Sequence, residues 1–437
     1  MKSGRSHAAA ALVRGQRYAD ALPLLVEACA ASPSEWTCWL DLASCLVAVR
    51  NHAGLFHLIG QRQEMSGDGL RLFHDCLTAT LRWSDREPFQ QLLAATPRDS
   101  LAFIIALYVS GIAACGDDPE RGIHELKAAA AAAQGCAEHF EKDPVLCSAL
   151  HEGDVLESFE TIAALEQKDR TGTIDAFGHI EHDARFVGQP SSPIEAPFIF
   201  LSSCDERYLD RFGSVVTKAL DDTKTRTVYH LHVVDPSDEI EHKFARLRAA
   251  CANLDLQLST ETYRRDQKGY SRASYYACSR LARLPEILAR YDRDVMMWDM
   301  DIEKVSNMDR LVNAMRGFDL GYFEMKHQRP SLICHLATVY FSKTGARRCA
   351  DLISKYALTK LKNTPYWLLD QASVFCVSRY LQAEGALRIN DFSACPGGAF
   401  ETYVGVAASA SEKQTLRQHA GRGAQSASRA ELEKATN

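Results

Sequence analysis

The stretch Val295-Met296-Met297-Trp298-Asp299-Met300-Asp301 decides how this chain is read. Four apolar residues run directly into two acidic ones separated by a single residue. A short, wholly apolar run marks a strand covered on both faces. Side chains alternate along a strand, so an extended Asp299-Met300-Asp301 sends both carboxylates to the same side. Two close carboxylates repel unless a cation or a proton lies between them. A hard divalent cation, Mg2+ or Mn2+, completed by phosphate oxygens and water, suits such a pair. There it would neutralise the charge of a departing diphosphate.

Outward from this point the sequence alternates strands and helices. Phe198-Ile199-Phe200-Leu201 is a short apolar run closed by Ser202-Ser203, and Arg207 to Leu220 has helical periodicity. Thr227 to Asp235 reads as a strand, Ile240 to Cys251 as a helix, Asp255 to Leu258 as a strand and Ala277 to Tyr291 as a helix. This rhythm predicts a mostly parallel sheet covered on both faces, an α/β fold of Rossmann-like character. Ligands of such sheets bind outside the carboxyl ends of the strands. The polar residues there, Ser202 to Asp205, Asp235 and Asp299 to Asp301, are therefore the first candidates for a site.

The segment Val295 to Ile302 followed by Asn307-Met308-Asp309-Arg310-Leu311 resembles the strand, D-x-D, short loop and D-x-L of GT-A glycosyltransferases. Its flavour is that of the family 8 galactosyltransferase and glycogenin-like group. Four further segments carry the resemblance, which spans roughly residues 196 to 392. Phe198 to Tyr208 is similar to that family's first strand, which meets the nucleoside. Tyr276-Ala277-Cys278-Ser279-Arg280-Leu281 is similar to its tyrosine-to-arginine helix. Val339-Tyr340-Phe341-Ser342 fits the strand that frames the donor sugar, and Trp367-Leu368-Leu369-Asp370-Gln371 resembles its Asp-Gln pair.

The resemblance implies a nucleotide-sugar donor, UDP-sugar favoured, with Mn2+ or Mg2+ held by Asp299 and Asp301. It further implies that Ser202, Asp205, Arg280 and Asp299 contact the nucleotide. Asp370 and Gln371 would line the sugar, with retention of configuration favoured. Two departures stand out. Leu336-Ala337-Thr338 replaces the family's Asn-Ala-Gly, and no histidine lies between His335 and His419, where the family has its third metal ligand. His327 and His335 are the nearest candidates. Plainer readings compete for individual residues. Arg280 could be a surface charge paired with Glu286, and Asp205 and Asp370 could be helix caps. For the whole chain, the competitors are a non-catalytic scaffold with a degenerate transferase domain, or another nucleotide-binding enzyme on a similar sheet. Ser202 to Glu206 lacks the glycines that the last of these would need.

The first part of the chain differs. Residues 1–166 are rich in Ala and Leu with almost no strand signal. Gly15-Gln16-Arg17-Tyr18, Ala21-Leu22, Leu25, Ala28 and Pro33 resemble the second half of a tetratricopeptide repeat. Helical segments are expected at 39–46, 70–83, 101–114, 119–133 and 144–166. Stacked helix pairs of this kind present concave surfaces, which suit a protein or glycan acceptor, a dimer contact, or mere support of a neighbouring domain. Residues 167–193 read as a linker, 194–405 as the GT-A domain, and 406–437 as a disordered or loosely helical tail.

Bulk properties fit two or three domains. The chain has 437 residues, 46% hydrophobic and 24% charged, with net charge -6. Nothing in that balance calls for nucleic acid or an anionic membrane. No apolar run reaches the roughly 18 residues of a transmembrane helix. The 14 cysteines contain no C-x-x-C and sit singly within apolar segments, as reduced buried thiols do. A cytoplasmic protein is the expectation.

Overall fold

A computed structural model of the chain describes residues 2–32, 36–49, 51, 54, 93–94, 96, 98, 100–136, 152–188, 198–222, 226–264, 270–300, 313–325, 329–363, 366 and 368–392. The chain divides into two compact units, Met1–Leu156 and Glu157–Asn437. The expected helix at 70–83 and the tail at 406–437 lie outside the described residues, as do Asp301, His327, Trp367 and the D-x-L segment at 309–311.

The described elements of the first unit are helices: α1 (Lys2–Arg14), α2 (Tyr18–Ala31), α3 (Trp36–Ala48), α4 (Leu101–Ala114) and α5 (Pro119–Gln134). Their starts are written in the sequence. Ser100 caps α4 by accepting from Phe103 N, and Asp118 caps α5 by accepting from Arg121 N, with Pro119 in the first turn. Small residues let α4 and α5 approach closely. A Cβ at Gly111 would lie 2.7 Å from the Leu126 side chain, and one at Gly122 would lie 2.6 Å from Cys115 N.

The second unit holds α6 (Phe159–Glu166), α7 (Arg170–Phe177), β1 (Arg185–Val187), β2 (Phe198–Asp205), α8 (Glu206–Asp221), β3 (Thr227–Val234) and α9 (Ile240–Ala249). It continues with β4 (Leu254–Glu261), α10 (Tyr270–Tyr291), β5 (Asp294–Trp298), β6 (Leu320–Glu324), α11 (Pro330–Ile333), β7 (Cys334–Phe341), α12 (Arg347–Asn363), α13 (Leu369–Ala383) and β8 (Ile389–Asp391).

The division between the units falls at 156/157, ten residues before the end of the helical region read from sequence. Much of the stretch read as linker is built into the second unit. Thr171-Gly172-Thr173 looks loop-like, yet Asp169 caps α7 through Gly172 N, and Thr173, Ile174 and Phe177 are buried. Gly178, at φ 70, closes α7 in the left-handed conformation rather than opening a flexible segment. Charges hold this region down. Glu166 pairs with Arg348 of α12, Glu157 lies 2.5 Å from Lys360, and Arg170 lies 2.8 Å from Glu286 of α10.

One eight-stranded sheet forms the core, in the order β1-β4-β3-β2-β5-β7-β6-β8. The block β4-β3-β2-β5 is parallel. The sheet as a whole is mixed, since β7 runs antiparallel to both β5 and β6, and β1 antiparallel to β4. The β6–β7 connection, residues 325–333, is shorter than the dozen or so residues that a parallel crossover needs.

Chain order across the parallel block positions the site. From β2 the chain steps to β3 and then β4, after which α10 carries it back to β5 on the other side of β2. Right-handed crossovers place α8 and α9 on one face of the sheet and α10 on the other. On the first face Leu209, Phe212, Ile240 and Phe244 pack with Phe200, Tyr229, Leu231, Leu256 and Trp298. Because β2 is covered on both faces, Ile199, Phe200 and Leu201 are all fully buried. At β2/β5 the winding direction reverses, and such a point opens a crevice at the carboxyl ends of the strands.

Candidate functional site

The carboxyl ends of β2 and β5, the middle of α10 and the start of α13 converge at this reversal. Arg280, on α10, is the hub. Its Nη1 donates to Asp299 Oδ1 at 2.6 Å and its Nη2 to Leu336 O at 3.2 Å, while Asp370 Oδ2 stands 3.8 Å from Nη2. The side chain is 9% exposed, and its Nε is buried without a hydrogen-bond partner among the described residues. Burial works against a charged guanidinium, but Asp299 and Asp370 outweigh it and hold the group charged. Glu286 is not its partner. That carboxylate pairs with Arg283 and Arg170 instead.

Asp299 follows β5 directly, and its backbone N–H donates to Ala337 O at 3.0 Å, extending the β5–β7 pairing by one residue. Its side chain is 38% exposed, so one oxygen faces Arg280 from a carboxylate that solvent can reach. Asp370 is different. It is buried in the first turn of α13, whose N-cap is Leu368, so it is not the cap. Burial raises its carboxyl to about 6, against the opposing pull of Arg280. Its Oδ1 accepts from Gln371 N at 2.9 Å.

Gln371 is spent on the scaffold. Its side-chain amide nitrogen donates to Ser331 O at 3.0 Å and to Cys334 O at 2.9 Å, tying α13 to the start of β7. Ser202 is the innermost of the residues expected at the nucleotide. It is fully buried, and its hydroxyl donates to Trp298 O at 2.6 Å inside the sheet. Strand alternation puts Ser202 on the α8 side with Phe200 and Cys204, and Ser203 on the α10 side. Ser203 meets Ser279 Oγ at 2.9 Å there. Asp205 caps α8, accepting from Tyr208 N at 2.8 Å through Oδ1.

One constellation the sequence named only in part lies at the end of β3. Asp235, at φ 54, accepts from Arg272 Nε (3.0 Å) and Nη2 (2.5 Å) and from the Tyr276 hydroxyl (2.9 Å) through Oδ2. Its Oδ1 accepts from Tyr263 N at 2.8 Å. Asp tolerates this left-handed backbone better than most residues. Arg272 lies one turn before Tyr276 and two turns before Arg280, a spacing that could have marked it.

For a divalent cation, Asp299 supplies a hard oxygen donor that solvent reaches, which fits Mg2+ or Mn2+ chemistry. Among the described residues no group of three His, Cys, Asp or Glu converges to hold a metal. The second expected ligand, Asp301, lies outside the described residues. The described cysteines are free and mostly buried, and no helix among the described residues is long and apolar enough to cross a membrane.

No known family matches this chain, and no curated protein sequence matches it. Among solved structures, the apo structure of the bifunctional glycosyltransferase WbbM is similar over 47% of this chain and 40% of its own, at 15% identity and a TM-score of 0.33. The chain thus spans about two fifths of that protein's length. A likeness of that size decides neither fold nor function.

Proposed function

We propose that the second unit is a GT-A type glycosyltransferase that moves a sugar from a nucleotide-diphosphate donor, UDP-sugar favoured, to a protein or glycan acceptor. The observation that carries this reading is Arg280: a buried cation at the sheet's reversal point, tied to Asp299 and Asp370, with one N–H left over. A charge-assisted donor there suits phosphate oxygens. Asp299 and Asp301, two residues apart, would hold Mn2+ or Mg2+, which neutralises the leaving diphosphate.

Around the donor, the free oxygen of Asp205 is available to ribose or base, and the chain's own groups orient the sugar. Asp370, raised to about 6 by burial, is partly protonated near neutral pH and can both donate to and accept from a sugar hydroxyl. Gln371, next to it, holds the start of α13 to β7. In the reaction the anomeric carbon's bond to the diphosphate oxygen breaks and a bond to the acceptor oxygen forms. The acceptor's proton leaves with the diphosphate in the retaining course, which the family resemblance favours. The first unit, with its tetratricopeptide-like opening, would recruit the acceptor.

A thermal-shift screen of nucleotide sugars with and without Mn2+ tests this. The expected result is metal-dependent stabilisation by one nucleotide sugar, lost in Asp299→Ala plus Asp301→Ala. Absence of any such stabilisation overturns the reading. One observation favours a non-catalytic alternative: Asp299 Oδ1 is already engaged by Arg280. Nucleotide binding without any hydrolysis of the donor would select that alternative.

A further inference from the structure

Glu261 ends β4 with a side chain that solvent does not reach, and three side chains converge on it. Arg283 approaches through Nε at 2.6 Å and Nη2 at 2.5 Å, and the Tyr275 hydroxyl donates to Oε1. His232 Nε2 stands 3.2 Å from Oε1, off the line of a straight hydrogen bond. Burial alone would push this carboxyl up, yet His232, Arg283 and Tyr275 outweigh it and hold the group at about 2. Arg283 is equally enclosed, 1% exposed, and also donates to His182 O, Glu181 O and Glu286 Oε1.

A buried ion pair is a poor way to add stability, because the desolvation of both ions offsets their attraction. Apolar side chains of the same volume would hold α10 on the sheet at least as firmly. What the pair supplies is direction. Tyr275 and Arg283 sit two turns apart on α10, and both reach the same carboxylate. Two such fixed points set the helix's rotation and its position along its axis. Tyr276 and Arg280 follow these anchors on the neighbouring stripe of the helix, and they face Asp235 and Asp299. The backbone adds a second tie, since Asp235 N donates to Glu261 O at 2.8 Å.

We propose that Glu261, through Tyr275 and Arg283, is a positioning residue that sets the rotation of α10 and so aims Arg280 and Tyr276 at the strand ends. The ligand arm of its test rests on the nucleotide reading above, and the exchange arm does not.

The experiment compares the full chain with Glu261→Gln, Tyr275→Phe and Asp319→Asn. Asp319 bonds Arg388 at 3.0 Å at the opposite end of the sheet, and serves as a control for lost stability. Hydrogen exchange by mass spectrometry follows residues 270–284, and titration with UDP and Mn2+ gives affinity. Faster exchange confined to α10 is expected in Glu261→Gln and, more weakly, in Tyr275→Phe, but not in Asp319→Asn. UDP affinity is expected to fall in the same order, by about 10- to 100-fold for Glu261→Gln, the size of the charge-assisted hydrogen bond that a misaimed Arg280 would lose. Exchange that rises evenly over the unit, or UDP affinity unchanged beside a loosened α10, overturns the proposal. If Glu261→Gln does not fold, Tyr275→Phe decides by the same two readings. If the unsubstituted chain binds no UDP, the nucleotide reading falls, and local exchange on α10 alone upholds or overturns the positioning role.

Discussion

Arg280 Nη1 lies 2.6 Å from Asp299 Oδ1 across the point where the sheet reverses its winding. The same guanidinium is 3.8 Å from Asp370, so one buried cation serves two carboxylates carried by different elements. Arg280→Met should therefore do two things at once. It should weaken UDP binding by about 10- to 100-fold, the size of one charge-assisted hydrogen bond. It should also destabilise the unit by about 3 kcal/mol or more, because a buried carboxylate loses its counter-charge. Arg280→Lys should recover stability better than affinity, since an ammonium keeps the charge but not the fork. Isothermal titration and urea unfolding separate the two effects.

Asp370 makes the stability of the second unit depend on pH. Its carboxyl sits at about 6 in the folded chain against an ordinary value of 3.8. Between those values the folded state holds a proton that the unfolded state has released. Stability therefore falls as pH rises through that window, by on the order of 3 kcal/mol in all. Asp370→Asn should remove this slope, so its stability relative to the unsubstituted chain should climb from pH 4 to pH 6 and then level off. Urea midpoints at half-unit pH steps would read it. A difference that stays flat would mean that the buried carboxyl is ionised throughout.

His230 should act in the opposite sense. It is fully buried on β3, with Nδ1 2.7 Å from the Tyr291 hydroxyl and Nε2 2.8 Å from Ser259 Oγ. Burial, with His232 and Arg290 nearby, pushes its pKa well below 6.5. The unfolded chain takes up a proton below about 6.5 that the folded chain refuses, so stability falls with falling pH by about 1.4 kcal/mol per unit. His230→Gln should flatten that loss between pH 6.5 and 5. Comparing it with Asp370→Asn over the same range separates two slopes that partly cancel in the unsubstituted chain.

These residues also show where sequence stops being informative. The strands β2, β3 and β5 announce themselves as apolar runs, and Leu101 to Ala114 reads as the helix it is, because burial on both faces and capping are local properties. The site's partnerships are not local. Arg280 and Asp299 are 19 residues apart, and Arg280 and Asp370 are 90 apart, so only topology brings them together. Ser202 and Ser203 could have been told apart by alternation alone, given that Phe200 faces the α8 core. Arg283 and Glu261 look like two more charges in a helix and a strand until the sheet order puts them face to face. The stretch 167–193 reads as linker because Lys168 to Thr173 and Gly188 to Pro193 are polar and glycine-bearing, whereas the caps at Asp169 and Gly178 that bound α7 show only in the fold.

The packing of α6, α7 and β1 into the second unit bears on how fragments fold. A fragment covering 157–405 should unfold in one cooperative transition, whereas one covering 194–405, the boundary drawn from sequence, should not. The shorter fragment loses Ile162, Leu165, Ile174 and Phe177, all buried, and with them the edge strand β1. It also strips Arg170 from Ala282 O, where it donates at 2.6 Å in the helical turn ahead of Pro285. Proline withholds the N–H that would meet Leu281 O, one residue before Ala282, so this turn leans more on outside donors than an unbroken helix does. Lys360 and Arg348 would in addition lose Glu157 and Glu166. Calorimetry and dye binding would tell the two fragments apart: a sharp endotherm with little dye uptake for 157–405, and a broad or absent one with strong uptake for 194–405. Equal cooperativity in both would mean that α6, α7 and β1 decorate the sheet rather than complete it.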